Sequence, residues 1–167
     1  MSLALAAVGA IVAALLETSV APYLLIGGVK PDLVLTCATV FTVTVSADGG
    51  FILAFVGGLM LDMLVAPAHP VGSTIAPLLV TAGIASVAAR FLGRNQIATA
   101  VAATFVLTFV YQELFAMILR ALIGGVSPAG LSTLLPIAIE NTVLALPLAA
   151  LLRWTWLRYG AHDRIEW

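Results

Sequence analysis

Charged residues are scarce in this chain of 167 residues: Asp, Glu, Lys and Arg make up 9% of it, whereas 62% is hydrophobic. A soluble domain carries about 25% charged and about 45–50% apolar residues. The deficit of charge therefore predicts an integral membrane protein in the lipid bilayer. The formal net charge is −1 and the basic residues form no run, so we expect no nucleic-acid partner.

Cysteine and histidine are also nearly absent. Cys37 is the only cysteine and the chain has 2 histidines. A lone cysteine forms no internal disulfide, and His69 has no second ligand at a metal-binding spacing. The sequence contains no catalytic serine, histidine and aspartate in a known order, and no phosphate-binding glycine loop. These absences predict no cofactor, no metal and no enzymatic activity.

Long apolar segments predict six transmembrane helices. Each spanning helix needs about 20 apolar residues, so six would use roughly 120 residues and leave only loops and tails. Proline, glycine and asparagine mark the segment ends. The expected helices are Leu3–Tyr23, Pro31–Val45, Gly49–Val65, Ser73 or Thr74 to Phe91, Gln96–Ile123, and one within 129–159. We expect an all-α six-helix membrane bundle, with one domain over 1–160 and a short cytoplasmic tail at 161–167.

The distribution of arginine and lysine predicts the orientation of these spans. Six spans place both termini on the same side of the membrane. That side receives five basic residues and the other side receives two. The five are Arg90, Arg94, Arg153, Arg158 and Arg164, and the two are Lys30 and Arg120. Basic loop residues face the cytoplasm, so both termini are predicted to be cytoplasmic.

The third predicted helix carries small residues at helical spacing and then a carboxylate. Gly50, Ala54 and Gly58 follow at four-residue steps beside Gly57, and Asp62 lies one turn further on. Small residues let helices approach closely in lipid, whereas an acid at the centre of a span costs about 2.5–3.5 kcal/mol. The small-residue ridge either packs inside the bundle or meets a partner helix. Asp62 either accepts structural hydrogen bonds or contacts a partner or ligand.

Three further carboxylates fall in predicted spans. Glu17 ends a stripe of alanines on the first helix, which fits either a helix contact or an acid near the lipid headgroups. Glu113 lies opposite a threonine face of the fifth helix, and a third group could link it to Arg120. Glu140 and Asn141 enter the last helix, where they cap it, cross-link helices or line a pocket. The threonines are expected to bond their own helix backbone.

Short motifs within residues 22–80 resemble those of a known membrane-protein family. The motifs are Pro31-Asp32-Leu33, Gly50-Phe51, Gly58-Leu59, Leu61-Asp62 and, in the next loop, Gly72. Their order and spacing resemble the MreD family of bacterial rod shape-determining membrane proteins, and so do the length and the predicted spans. The chain departs from the family in its proline-rich segment 66–71, where Val71 stands in place of an expected leucine.

The resemblance implies a non-enzymatic component of the cell-wall elongation (Rod) complex in the bacterial inner membrane, which helps to control cell shape and peptidoglycan synthesis. MreD-like proteins bind MreC, through its membrane helix and adjacent segment, and work alongside RodA, the elongation penicillin-binding protein and MreB. The resemblance implies no catalytic residue, and it gives Pro31, Asp32, Leu33, Gly58, Asp62 and Gly72 as motif positions only.

The resemblance also implies a fold, and the fold supplies an alternative function. MreD-like proteins are similar in fold to the substrate-binding subunits of energy-coupling-factor transporters. The alternative is therefore a subunit of such a transporter that binds a vitamin-like small molecule. Such subunits offer small residues on their first helix to a coupling protein, and Ala6, Ala10 and Ala14 match that pattern.

Overall fold

The computed structural model describes residues 3–23, 29–65, 70–92, 95–124 and 130–159. Its α-helices are α1 (Leu3–Ser19), α2 (Leu33–Thr44), α3 (Ala47–Leu64), α4 (Ile75–Leu92), α5 (Gln96–Leu122) and α6 (Leu131–Tyr159). A 3-10 turn at Ala21–Tyr23 follows α1, and the described residues contain no β-strand. The predicted all-α class is therefore confirmed, whereas the predicted tail at 161–167 and His69 lie outside the described residues.

Five of the described helical segments are long and apolar enough to cross a membrane, so the chain is a multi-pass membrane protein. The exception is α2, which has 12 residues. At 1.5 Å per residue it is about 18 Å long, well short of a hydrocarbon core of about 30 Å. The count of six spans, and the orientation deduced from it, stay predictions.

The short helix α2 lies at the centre of the bundle. Of its 12 residues, 10 are buried, and it packs against each of the other five α-helices. Those five form an incomplete ring in the order α1, α3, α4, α5, α6, each packed on the next. The described parts of α1 and α6 do not pack on each other in the same way. The ring of helices is therefore open between α1 and α6.

Glycines let α3 approach α2 closely. Gly50 lies against Thr42, and Gly57 lies against Val34. A β-carbon added at Gly50 would lie only 2.9 Å from the Thr42 Cα atom, a distance that side chains do not tolerate. Ala54, between the two glycines, is completely buried. This part of the small-residue ridge therefore packs inside the bundle.

Gly58 makes the corresponding approach to α4. A β-carbon at this position would lie 2.9 Å from the Ile75 Cα atom and 3.2 Å from its backbone nitrogen. Gly58 thus places the C-terminal half of α3 directly against the first turn of α4, which brings Asp62 next to the loop that precedes α4.

Most helix boundaries differ from the predicted ones by one to four residues. α3 begins at Ala47, two residues before the predicted start, because the Ser46 side chain accepts a 3.2 Å hydrogen bond from the Gly49 N–H and caps the helix. α6 runs as one helix through Pro136 and Pro147.

Candidate functional site

Polar side chains from four parts of the chain meet at the N-terminal end of α2. We call this group the polar cluster; it comprises Glu17, Lys30, Asp32, Thr108, Gln112 and Asn141. Glu17, Asp32, Thr108 and Asn141 are buried. Burying such groups is costly unless they are hydrogen-bonded or paired, so the bonds within the polar cluster determine whether the bundle is stable.

Glu17 caps α2 although it belongs to α1. Its Oε2 atom accepts a 2.8 Å hydrogen bond from the Val34 N–H, and its Oε1 atom lies 3.8 Å from the Lys30 ammonium. The first N–H groups of a helix lack partners within the helix, and negative charge is favourable at that end. Asp32, the N-cap residue of α2, forms no side-chain capping bond of its own. Glu17 supplies that bond, so its buried side chain makes the predicted helix contact.

Asp32 and Asn141 each donate a hydrogen bond to the other. The Asp32 N–H donates to Asn141 Oδ1 at 2.8 Å, while Asn141 Nδ2 donates to Asp32 Oδ2 at 3.5 Å and to Thr108 Oγ1 at 3.1 Å. Gln112 Nε2 donates to the same carboxylate oxygen at 2.8 Å. The network joins the start of α2 to α5 and α6.

A cavity of about 160 Å³ lies beside the polar cluster. We call it the polar cavity; it is lined by Glu17, Lys30, Asp32, Leu61, Val65, Thr74, Tyr111, Gln112 and Phe115. The Tyr111 and Phe115 rings, one helical turn apart on α5, stack with their centroids 6.0 Å apart. Pockets for drug-sized ligands measure about 300–1,000 Å³, so the polar cavity suits only a smaller chemical group.

Asp62 forms a second buried polar site between α3 and α4. Its Oδ2 atom accepts a 2.7 Å hydrogen bond from the Gly72 N–H. Its Oδ1 atom accepts bonds from the Thr74 N–H at 3.1 Å and from the Ser73 hydroxyl at 3.4 Å. Gly72 has a φ of 100°, which favours glycine because it has no β-carbon. We call this arrangement the Asp62 clasp, and it fixes the chain that leads into α4.

The other residues singled out in the sequence lie at varied depths. Pro31 is buried beside Asp32, and Leu33 is half-buried at the start of α2. Glu113 is exposed and does not belong to the polar cluster, whereas Glu140 is buried beside Asn141. No three histidine, cysteine, aspartate or glutamate side chains within the described ranges are grouped as metal ligands.

The sequence did not reveal the polar cluster as one unit. Gln112 and Asn141 are 80 and 109 positions from Asp32 along the chain, so no local motif connects them. One signal was present, because two amide side chains within apolar helices need partners in a bilayer. Lys30 carried no such signal, since it stands in a loop.

An apolar groove follows the open seam between α1 and α6. Two hollows of about 310 Å³ and about 230 Å³ meet there, and both touch Cys37 of α2 and Leu148 of α6. We call this the α1–α6 groove; its α1 side is Leu5, Ala6, Gly9, Ala13 and Leu16, and its α6 side is Leu144, Pro147, Leu148, Leu151 and Leu152. A β-carbon at Gly9 would meet no atom within 4 Å, so this glycine leaves open space on the groove wall.

We expect Glu17→Ala to lower the free energy of unfolding by about 1–3 kcal/mol, the cost of a buried N–H left without an acceptor. Glu17→Gln keeps an acceptor oxygen for Val34 and should lose less. Thermal unfolding in a fixed detergent measures both variants. Glu113→Ala, an exposed site on α5, is the matched control and should leave the midpoint unchanged. An equal loss in Glu113→Ala and Glu17→Ala would contradict the capping role.

Comparisons of the chain with protein-family models, with curated proteins and with solved structures find no match.

Proposed function

We propose that this chain is a non-enzymatic scaffold of a bacterial cell-wall elongation complex, which lies in the inner membrane and binds MreC through its membrane helix. The α1–α6 groove is the observation that carries the proposal. It is apolar along its length, it has small residues on its α1 wall, and it lies where the ring of helices is open. Small residues favour close helix approach in lipid, so the groove suits a single transmembrane helix.

The positions of the motif residues support the family assignment. Asp62 accepts a hydrogen bond from Gly72, and Gly58 packs on Ile75, next to the same loop. Asp32 opens α2 within the polar cluster. Two of the motif residues, Asp62 and Gly72, are thus hydrogen-bonded to each other, which is in keeping with the resemblance to MreD.

In this proposal MreC connects the chain to the rest of the complex. The MreC helix lies in the α1–α6 groove, and its adjacent segment continues past the membrane on the side of the polar cluster. RodA, the elongation penicillin-binding protein and MreB work alongside this pair. The chain contributes a binding surface and a fixed geometry, and it contributes no chemistry of its own.

The polar cavity favours the alternative, a small-molecule subunit of an energy-coupling-factor transporter, but three observations weigh against it. At about 160 Å³ the cavity is smaller than the range of about 300–1,000 Å³ typical of ligand sites. A larger hollow of about 830 Å³ between α4 and α5 has no charged side chain in its lining. Ala10 and Ala14 are 0% exposed and do not line the α1–α6 groove, so the three alanines do not form one surface for a coupling protein.

We expect Gly9→Trp to fill the α1–α6 groove and reduce co-purification of MreC at least about tenfold, since the indole occupies the place of the partner helix. A tenfold change corresponds to about 1.4 kcal/mol. Gly9 is exposed and a β-carbon there meets no atom within 4 Å, so the new side chain starts from open space. Thermal unfolding of the variant checks that the chain's own packing is kept. The measurement is the yield of tagged MreC recovered with the variant from detergent extracts.

Ile11→Trp is the matched control for this experiment. Ile11 is exposed on the same helix and is outside the groove lining, so MreC recovery should match the unsubstituted chain. Equal recovery with Gly9→Trp would place the MreC site elsewhere. Failure of the unsubstituted chain to recover its cognate MreC would refute the proposed function itself.

A further inference from the structure

We propose that the polar cavity binds an organic cation, in the form of an alkylammonium or guanidinium group. This inference goes beyond the scaffold function and does not depend on it. The cavity lies at the N-terminal end of α2, away from most of the length of the α1–α6 groove. Its walls combine buried carboxylates, an amide and a stacked pair of aromatic rings.

The acidic and basic groups on the cavity wall are unequal in number. Glu17 and Asp32 contribute two carboxylates, and Lys30 contributes one ammonium. Lys30 keeps 48% of its side chain exposed and stands 3.8 Å from the Glu17 carboxylate. That distance exceeds the usual range of about 2.7–3.2 Å for a hydrogen bond from nitrogen to oxygen. The internal cation therefore stands at the mouth of the cavity and makes no close hydrogen bond to Glu17.

The aromatic wall suits the same kind of ligand. The Tyr111 and Phe115 rings stack in parallel along α5, and both line the cavity. Aromatic faces attract ammonium and guanidinium groups, most strongly where water is excluded. Carboxylates and two aromatic side chains in the lining of one small cavity provide both charge and apolar contact for an alkyl cation.

The size of the cavity and the existing hydrogen bonds restrict the ligand further. A volume of about 160 Å³ equals roughly five water molecules at about 30 Å³ each, which accommodates a four-carbon amine. Within the described part of the chain no three side chains form a metal-ligand group. The carboxylates already accept bonds from Val34, Gln112 and Asn141. A hydrogen-bonding organic cation needs fewer free oxygen positions than a metal ion.

The test is titration of the full chain in nanodiscs with n-butylammonium, and with 1-butanol as a neutral molecule of similar size. We expect saturable binding of n-butylammonium and none of 1-butanol. Phe115→Ala should weaken binding about fivefold, in line with an interaction of about 1 kcal/mol. Lys30→Met should strengthen binding about tenfold, because it removes the competing internal cation. Glu113→Gln, an exposed carboxylate on α5, is the control and should change affinity less than twofold.

Two results would overturn the inference. One is equal binding of 1-butanol and n-butylammonium, and the other is that n-butylammonium binds neither the unsubstituted chain nor the Lys30→Met variant. The Lys30 side chain is half-exposed, so we expect Lys30→Met to fold. This variant therefore tests the inference even if Phe115→Ala does not fold. Nanodiscs with the same fraction of phosphatidylglycerol, in which the remaining lipid is phosphatidylethanolamine or phosphatidylcholine, separate the possible sources of the cation at equal surface charge. Weaker n-butylammonium binding with phosphatidylethanolamine means that its headgroup competes for the cavity, and equal binding favours a water-soluble amine.

Discussion

Gly58→Leu should abolish folded protein. A β-carbon at this position already lies 2.9 Å from the Ile75 Cα atom and 3.1 Å from Leu78 Cδ1, and leucine adds three more carbons. Overpacking a core costs about 1–3 kcal/mol where side chains can move. Here the obstacle is the backbone of α4, so the cost should exceed that range. Size-exclusion chromatography of a fluorescent fusion in detergent measures the loss of the monodisperse peak.

Gly83 provides a matched control for this experiment because it is another glycine within a described helix. Its added β-carbon would approach only the Phe51 ring, at 4.0 Å. Gly83→Ala should therefore be neutral or mildly stabilising, since alanine favours helix over glycine by about 1 kcal/mol. Gly58→Ala should already reduce the folded fraction. A normal peak for Gly58→Leu would mean that α3 does not approach α4 as described.

The location of the small-residue ridge could be predicted only in part. Helical spacing placed Gly50, Ala54 and Gly58 along one side of α3, and small residues indicated close approach. Spacing alone could not tell whether the neighbour belongs to the same chain. The structure gives the neighbours as Thr42 of α2 and Ile75 of α4. Both belong to this chain, so the ridge is internal and the proposed partner surface lies on α1 and α6.

The role of α2 could not be deduced from hydropathy. Residues 33–45 contain no charged side chain, which suits both a membrane span and a helix enclosed by others. Length is the better signal, because apolar segments of about 10–14 residues are more often core or re-entrant helices than spans. Pro31 and Asp32 bound the helix, which begins at Leu33 and has 12 residues. The surrounding helices, and not the lipid, bury it.

For the intramembrane acids, the sequence predicted that hydrogen-bond donors are needed but not which residues supply them. A buried carboxylate requires donors, and for Asp62 these come from a loop 10 to 12 positions later. For Glu17 the donor is Val34, 17 positions later and on another helix. A sequence indicates that such acids need donors, but the donors depend on how the helices pack.

Asp62→Ala should lower the free energy of unfolding by about 2–5 kcal/mol, because it leaves the Gly72 and Thr74 N–H groups without an acceptor, at about 1–3 kcal/mol for each buried group. Asp62→Asn keeps one carbonyl oxygen but turns an NH₂ group toward a backbone donor, so it should lose roughly half as much. Thermal unfolding in one detergent measures both. Asp48→Asn, exposed in the first turn of α3, should cost less than about 1 kcal/mol.

The ranking of Asp62→Asn and Gly58→Leu in an MreC pull-down then separates the two readings of this segment. If α3 acts through packing, Gly58→Leu removes more MreC than Asp62→Asn, and the losses follow the folded fraction of each variant. If Asp62→Asn stays folded yet loses more MreC, the carboxylate itself is the recognition element. The geometry favours the first outcome. Asp62 is 0% exposed, and its oxygens already accept bonds from Gly72, Ser73 and Thr74, so a partner would have to open the loop to reach it.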